Sequence, residues 1–313
     1  MPPAAFLAVA VLSAALMGLA IQRGATCMVA AIDEMVSERR MTRAAALGEA
    51  AIWAGGLVTV AAACGWLSMT PADYPVTGWT VAGGVLLGLG AWVNQSCVFG
   101  AVARIGSGQW AWLATPVGFY LGCLMPLGTP VALPGGGRLG TGVGALTVGL
   151  LFIGFAAWRL IDAARAPHLG RHLWHPHRAT LLIAVTFVTA LLSAGYWAYT
   201  DALAALARSM EAMLSLRIAL LAALIVGAVA GGAVAGKLRH ERPRMFTLLR
   251  CASGGFLMGM GTALVPGSND GLILLGLPSF LPYAWVAVIV MALSIALALK
   301  LQSVTVIALT SKT

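Results

Sequence analysis

The sequence predicts an all-α polytopic membrane protein with about nine spans, short broken or re-entrant helices and internal pseudo-symmetry. Composition is the first observation behind this prediction: hydrophobic residues make up 60% of the 313 residues, charged residues make up 9%, and the mean hydropathy is +0.92. A soluble domain needs far more charge to cover its surface. The second observation is the spacing of the apolar stretches, and the third is a pattern that recurs in three of them.

Apolar stretches long enough to cross a bilayer as helices, about 20 residues each, predict the number of spans. The nine stretches are 4–22, 44–66, 79–103, 110–127, 139–160, 179–199, 216–236, a broken one across 251–279, and 282–299. The first lacks the basic residues and the cleavage site of a signal peptide, so it is kept as a span. We expect these spans to form a single transmembrane domain over residues 1–313.

The basic residues cluster in loops that would all lie on one side of the membrane. They are Arg39, Arg40, Arg43, Arg104, Arg159, Arg165, Arg171, Arg178, Lys237, Arg239, Arg242, Arg244, Arg250 and Lys300. The positive-inside rule then places the N-terminus outside and the C-terminus in the cytoplasm. The net charge of +9 comes largely from these loops, which argues against a nucleic-acid partner.

One stretch does not fit the pattern of spans. Residues 200–215 combine Asp201, Arg208 and Glu211 with alanine, leucine and methionine. Mixed charge among apolar residues is typical of a helix lying in the membrane surface. The sequence therefore predicts an amphipathic helix on the outer face.

Three segments share a spacing that ordinary spans do not need. Segments 18–27, 88–97 and 259–268 each begin with glycine and end nine residues later on a cysteine or a serine. Each passes from apolar residues into polar ones at membrane depth, where backbone groups that leave a helix must find other partners. The spacing predicts three broken segments related by internal duplication and lining one polar path. Chance repetition among glycine-rich and alanine-rich helices is the alternative.

The residues around these three positions resemble the motifs of the YeeE/YedE family of sulfur transporters. The first motif is 22–27 (QRGATC), the second is 96–108 (SCVFGAVARIGSG), and the third is 259–279 (GMGTALVPGSNDGLILLGLPS). One departure stands in the third motif, where Ser268 occupies the position of the family's third cysteine. A carboxylate, Asp270, lies two residues further on, which is unexpected beside a path for anions.

The resemblance implies a transporter for thiosulfate or a related small sulfur-containing anion in a bacterial cytoplasmic membrane. It implies that Cys27 and Cys97 contact the ion in turn and that Ser268 supplies a hydroxyl. The other expected path residues are Gln22, Arg23, Asn94, Gln95, Ser96, Gly100, Arg104, Gly267, Asn269, Asp270 and Gly271. Physical chemistry agrees, because a dianion needs many donors in place of water, and helix N-termini and thiols supply them. Several weak sites in series let the ion both enter and leave.

Other roles for these residues stay open at this stage. A membrane-embedded thiol enzyme or sulfur carrier would use Cys27 or Cys97 as a nucleophile, although the sequence shows no base beside either. A non-transporting membrane subunit would turn the polar segments towards a partner. Arg23 and Arg104 could simply reach the lipid headgroups. Glu49 and Asp270 are candidates for coupling transport to protons.

No cofactor or metal is expected. The chain has no C-x-x-C pair, and Cys64, Cys123 and Cys251 are interpreted as small buried apolar side chains. A histidine cluster lies in a basic loop and is interpreted as solvated; its members are His168, His172, His175 and His177. The expected partners are the sulfur-containing anion and the lipid bilayer, and a cytoplasmic sulfur-handling protein is a candidate partner.

Overall fold

The fold is all-α, as the sequence predicts. A computed structural model describes residues 4–24, 27–67, 72–127, 132–133, 143–165, 176–195, 199–208 and 214–310, and these residues contain no strand. Their helices are α1 (Ala4–Gly24), α2 (Met28–Asp33), α3 (Thr42–Ala63), α4 (Gly78–Asn94), α5 (Val98–Gly106), α6 (Ala114–Cys123), α7 (Val143–Ala164), α8 (Pro176–Ala194), α9 (Tyr199–Ala207), α10 (Leu214–Val234), α11 (Met245–Leu264), α12 (Ser268–Gly271) and α13 (Pro282–Thr310). Single π-helical turns, Glu34–Glu38 and Leu272–Gly276, continue α2 and α12.

Within the described residues, five helical segments are long and apolar enough to cross a membrane. They are Ala4–Glu38, Thr42–Ala63, Gly78–Gly106, Ser215–Val234 and Pro282–Val304. Two further pairs, Ala179–Ala194 with Tyr199–Ala207 and Met245–Leu264 with Ser268–Gly276, bend by 40° and 55° at short breaks, and counting each as one span gives seven. The prediction of nine is not confirmed. One reason is the stretch 110–127, where α6 has only ten residues and follows the 3₁₀ turn Trp110–Leu113.

The three breaks predicted from the glycine segments are present. Helix α1 ends at Gly24 and α2 starts at Met28; α4 ends at Asn94 and α5 starts at Val98; α11 ends at Leu264 and α12 starts at Ser268. A long helix is followed each time by a short one. The same order of a long and a short helix thus occurs three times; the internal pseudo-symmetry that the sequence predicts stays a prediction.

Glycine lets the long helices approach closely. Helix α1 packs against α8 and α10, and α11 lies between α4 and α6. A Cβ atom on Gly18 would lie 1.9 Å from the carbonyl oxygen of Leu224, and one on Gly227 would lie 1.8 Å from that of Ala15. No side chain fits between α1 and α10 at this crossing, so small residues set the distance between the helices.

The prediction of an amphipathic surface helix at 200–215 is wrong for the residues that the structure describes there. Residues 199–207 form α9, where Tyr199, Thr200 and four of the next five residues are buried. Its backbone packs against α6 and α12 instead of lying at the membrane surface. The physical reason is that the apolar residues of α9 pack inside the protein and Thr200 hydrogen bonds the buried Asp270. Asp201 is only partly buried, and Arg208 is exposed just after the helix ends. Glu211 lies outside the described residues.

The histidine cluster also falls largely outside the part of the chain that the structure describes. His168, His172 and His175 belong to the undescribed range 166–175, and the side chain of His177 is not described. Within the described residues, no three His, Cys, Asp or Glu side chains gather as metal ligands would.

Candidate functional site

Cys27 and Cys97 occupy the same local position, each at the start of a short helix. Cys27 has an extended backbone (φ −147°, ψ 126°) as the N-cap of α2, and Cys97 is extended as the N-cap of α5. Their carbonyl oxygens accept the first helical hydrogen bonds, from Ala31 at 2.9 Å and from Ala101 at 2.8 Å. Neither thiol caps its own helix, so both sulfur atoms are available for other contacts.

The two thiols are joined by crossed hydrogen bonds. The backbone N–H of Cys97 donates to Cys27 Sγ at 3.4 Å, and the backbone N–H of Met28 donates to Cys97 Sγ at 3.3 Å. Cys27 Sγ also lies 3.9 Å from Ser96 Oγ. Exposure is 8% for Cys27 and 1% for Cys97. Each sulfur atom thus meets the N-terminus of the other cysteine's helix, where partial positive charge concentrates.

Gly100 makes this approach possible. A Cβ atom at this position would lie 2.3 Å from Ser96 Oγ and 2.7 Å from Cys27 Sγ. Both distances are shorter than van der Waals contact allows, so any side chain here would displace the Cys27 thiol or the Ser96 hydroxyl. Lack of space for a side chain therefore explains why the second motif has glycine at position 100.

A buried hydrogen-bonded chain holds the turn before Cys97. Asn94 donates from Nδ2 to the carbonyl oxygen of Ser96 at 2.8 Å, and Thr115 Oγ1 donates to Asn94 Oδ1 at 3.0 Å. Gln95 takes a left-handed conformation (φ 57°) that ends α4. Sequence reasoning missed Thr115, because a threonine inside an apolar helix gives no signal of such a role.

A pocket of about 840 Å³ opens at the arginine-bearing end of this site. It reaches the first turn of α2 and brings together two predicted path residues, Gln95 and Arg104. Its lining residues are Val29, Ala30, Asp33, Val36, Ser37, Arg43, Trp92, Gln95, Arg104, Leu299, Gln302 and Ser303. We call it the inner pocket. Sequence reasoning missed Arg43 and Trp92 as pocket residues. Arg43 had already been explained by the positive-inside pattern, and Trp92 by its place in an apolar span.

Arg104 lines the inner pocket and also contacts other side chains of the protein. Its Nη1 donates to Gln109 Oε1 at 3.2 Å, and its guanidinium carbon lies 4.5 Å from the ring centre of Trp112. Gln22 ties the end of α1 to the end of α5, with Nε2 donating to Ser107 Oγ at 3.4 Å. Gln22 Oε1 is buried and accepts no hydrogen bond from the described residues. Arg23 is half-buried at the end of α1.

The third motif turns sharply and buries its polar side chains. Gly267 (φ 98°) and Ser268 (φ 44°) both take left-handed conformations. Exposure is 0% for Ser268 and 2% for Asn269. Ser268 Oγ and both polar atoms of the Asn269 amide have no hydrogen-bond partner among the described residues. Helix α12 contacts α5, so the third motif lies next to the helix that starts at Cys97.

The Asp270 carboxylate is held by α9. It accepts hydrogen bonds from the backbone N–H of Thr200 at 3.2 Å, from the Thr200 hydroxyl, and from the backbone N–H of Gly271 at 3.1 Å. A second carboxylate lies close by: a Cβ atom on Gly271 would lie 3.5 Å from Asp201 Oδ2. Sequence reasoning missed Asp201 here, because its charge had suggested a surface helix.

Asp201 also lies towards the loop 72–77, which joins α3 to α4. Burial, with the negative charge of Asp201 as a further cause, raises the pKa of the Tyr74 phenol in the loop 72–77, while Arg208 opposes that rise. The Tyr74 ring packs edge-to-face on Tyr283 at 5.1 Å between centres. The carboxylate pair of α9 and α12 therefore lies towards the end of the protein opposite the inner pocket, since the loop 72–77 joins the far ends of α3 and α4.

The remaining cysteines divide into two kinds. Cys123 and Cys251 are buried, as predicted, and the Cys123 thiol donates to the carbonyl oxygen of Gly259 at 3.5 Å. Cys64 is exposed at the end of α3, so its interpretation as a buried apolar side chain is wrong. Glu49 forms an ion pair with Arg159 across α3 and α7, with Arg159 Nε donating at 2.9 Å. That pair gives Glu49 a structural role between helices.

Comparison with known proteins agrees with the motifs. No curated protein sequence matches the chain. A family model described as sulphur transport matches residues 23–297, a range that contains the two motif cysteines and the whole third motif. Because this range covers most of the sequence, the chain belongs to the sulphur transport family, as its resemblance to the YeeE/YedE transporters predicted.

Proposed function

We propose that this protein carries thiosulfate or a closely related sulfur-containing anion across a bacterial cytoplasmic membrane. The N-terminus would lie outside and the C-terminus in the cytoplasm, with all spans in one transport domain. The observation that supports this proposal best is the crossed pair of N–H···S hydrogen bonds at Cys27 and Cys97. It assembles donors of two kinds, backbone N–H groups and thiols, at two helix N-termini.

An anion can use these donors by replacing the sulfur acceptors. The N–H groups of Met28 and Cys97 now donate to sulfur, a weak acceptor, at 3.3 and 3.4 Å. A charged acceptor makes stronger hydrogen bonds to the same groups, and helix N-termini favour negative charge. The displaced thiols would then donate S–H to the ion. Entry of the anion thus exchanges weak contacts for stronger ones without leaving a buried N–H unpaired.

The polar groups on either side of the thiols extend the proposed path. Towards the outer end, the Ser268 hydroxyl and the Asn269 amide are buried donors without partners among the described residues. Buried polar groups are rarely left unpaired, so a passing anion or water is the natural partner. Towards the cytoplasm, Gln95 and Arg104 line the inner pocket, where a cytoplasmic sulfur-handling protein could receive the ion. Each of these sites would bind the anion weakly, which favours passage of the ion over its retention.

Uptake of labelled thiosulfate by proteoliposomes that contain only this chain tests the proposal. We expect Cys27→Ala and Cys97→Ala to reduce the uptake rate at least tenfold, because each change removes a donor and a station from a narrow path. Cys64→Ala is the matched control, since the same chemical change falls on an exposed thiol at the end of α3. Uptake by the double variant Cys27→Ala/Cys97→Ala at the wild-type rate would refute the proposed path.

The same assay separates transport from thiol chemistry. A sulfur carrier or enzyme would leave a persulfide on Cys27 or Cys97, which mass spectrometry of the protein after turnover detects. We expect uptake without such a modification. A subunit that does not transport would give no uptake in vesicles that hold this chain alone.

A further inference from the structure

A second pocket lies at the arginine-bearing end of the protein, at the start of α11. Its volume is about 580 Å³. Its lining residues are Gln109, Trp110, Ala111, Trp112, Glu241, Arg242, Pro243, Arg244, Thr247 and Arg250. We call it the α11 pocket. It shares no lining residue with the inner pocket and contains none of the predicted path residues.

The charge of the α11 pocket is strongly positive. Three arginines, Arg242, Arg244 and Arg250, line it, and none of them forms an ion pair with a carboxylate in the described part of the chain. The single acidic lining residue, Glu241, already accepts a hydrogen bond from Gln109 Nε2 at 3.3 Å. Three arginines against one glutamate leave this concave site with a net positive charge, which favours an anionic ligand.

The N-terminus of α11 adds to this charge. The helix has 20 residues, and its N-cap Arg244 is extended (φ −89°, ψ 139°) and makes no side-chain cap. The first backbone N–H groups of a helix have no acceptor within it, and the helix dipole makes this end positive. Arg244 and Thr247, which lie in this turn, both line the pocket.

Three buried N–H groups in the pocket wall, those of Trp110 Nε1, Trp112 Nε1 and Arg250 Nε, provide an independent indication of a ligand. Trp112 is 6% exposed, and its indole N–H has no acceptor among the described residues. Arg250 Nε is also buried without a partner within the same described set. The Arg250 guanidinium carbon lies 5.6 Å from the Trp112 ring centre, so the two side chains are neighbours. Buried donors of this kind are normally satisfied, which indicates an acceptor that comes from outside the chain.

Apolar side chains border the pocket on the same turn of α11. Met245, Phe246 and Leu249 are 70%, 77% and 63% exposed. In a membrane protein such side chains face lipid. Exposed apolar side chains beside a cationic pocket suit a lipid, which has apolar chains next to a charged headgroup.

We propose that the α11 pocket is a binding site for a tetrahedral oxyanion group of the phosphate kind. Arg242, Arg244 and Arg250 supply the charge, and the Trp112 indole and the start of α11 supply N–H donors. Two sources share this chemistry, the phosphate of an anionic lipid and a free inorganic anion. The site shares no lining residue with the inner pocket, although the expected path residue Arg104 contacts Gln109 and Trp112. The proposal does not depend on the transport path being correct.

Binding to the purified full-length protein tests the site, with one arm for each source. The first arm measures the thermal unfolding midpoint against inorganic phosphate, with sodium chloride at equal ionic strength as reference. The second arm counts retained lipids by native mass spectrometry with phosphatidylglycerol or phosphatidylcholine. We expect a saturable rise of the midpoint with phosphate, or retention of phosphatidylglycerol alone. The responding arm identifies the source.

Variants then assign the binding to these residues. Arg242→Gln/Arg244→Gln should abolish the specific signal, and Trp112→Phe should weaken affinity about tenfold, the cost of one hydrogen bond to a charged group, while keeping the ring beside Arg250. Arg40→Gln is the control, because it removes an exposed arginine at the same end of the protein. Absence of a specific signal in both arms, or an unchanged signal in the double arginine variant, would overturn the proposal. If Trp112→Phe does not fold, the arginine variants decide.

Discussion

Gly100→Ala is the smallest change that should separate the geometry of the two thiols from the fold around them. The added methyl group would lie 2.3 Å from Ser96 Oγ and 2.7 Å from Cys27 Sγ. Ordinary contact needs more than 3.4 Å, so both polar atoms must move by about 1 Å. The Cys27 thiol would then lose the hydrogen bond from the Cys97 N–H, which is already long at 3.4 Å.

The expected change in stability is the sum of two opposing effects of the added methyl group. Alanine favours a helix over glycine by about 0.5–1 kcal/mol, whereas overpacking a tight core costs about 1–3 kcal/mol. We expect a net destabilisation of about 1–2 kcal/mol, which leaves a folded protein. Transport should suffer more, because displacing one thiol removes a contact worth about 1.4 kcal/mol or more, a tenfold loss of rate.

The assay is thiosulfate uptake per folded molecule in proteoliposomes, with thermal unfolding of the same preparations. Gly48→Ala in α3 is the matched control, since a Cβ atom there meets nothing within 4 Å. It should preserve uptake and slightly raise stability. Ser96→Ala/Gly100→Ala relieves the first clash but keeps the second, so it should recover part of the lost stability without recovering uptake. Gly100→Ala with wild-type uptake would refute the reasoning, because the Cys27 contact would then be irrelevant to passage.

Three further experiments test other parts of the structure. Glu49→Gln should lower the free energy of unfolding by about 2 kcal/mol, because it leaves the partly buried Arg159 with only the longer ion pair to Asp162, at 3.7 Å. Uptake per folded molecule should stay near wild type; chemical or thermal unfolding measures the first effect and proteoliposomes the second. A membrane-impermeant maleimide should label exposed Cys64 from outside intact cells and should label Lys237→Cys only after permeabilisation, and equal labelling of both from outside would contradict the proposed orientation. Ser268→Cys should strengthen the preference for thiosulfate over sulfate in uptake competition, and an unchanged ranking would remove Ser268 from the path.

Much of the fold is predictable from the sequence because membrane spans follow from length and apolarity alone. The breaks were also predictable, since polar residues next to glycine at membrane depth cannot continue an ordinary span. The number of spans was not predictable. The stretch 110–127 is apolar enough for a span, yet Trp110–Leu113 forms a 3₁₀ turn that packs on α5 and α11, and α6 is short. Hydropathy cannot detect such a change of direction.

The candidate site, like the fold, was predictable from the sequence only in part. The equal offsets of Cys27 and Cys97 from a glycine predicted equivalent positions, and both cysteines start short helices. The crossed hydrogen bonds were beyond prediction, because they depend on how closely α2 and α5 approach at Gly100. The prediction for α9 failed for a related reason. Charged residues beside apolar ones suggest a membrane surface, yet α9 buries its apolar residues against α6 and α12, and Thr200 hydrogen bonds the buried Asp270.

The anchoring of Asp270 bears on how a carboxylate can stand beside a path for anions. Three donors from Thr200 and Gly271 converge on it, which directs its oxygen atoms towards α9. The buried polar groups of the third motif that have no hydrogen-bond partner among the described residues are then the Ser268 hydroxyl, the Asn269 amide and the Ser279 hydroxyl, and the first two lie next to Asp270 in the chain. Hydroxyl and amide groups are harder donors than thiols and suit oxygen better than sulfur. On the proposed path, the third motif would therefore contact the oxygen atoms of thiosulfate, and the thiols of Cys27 and Cys97 would contact its terminal sulfur. A path of this kind distinguishes the two ends of its substrate, which a row of three identical thiols could not do.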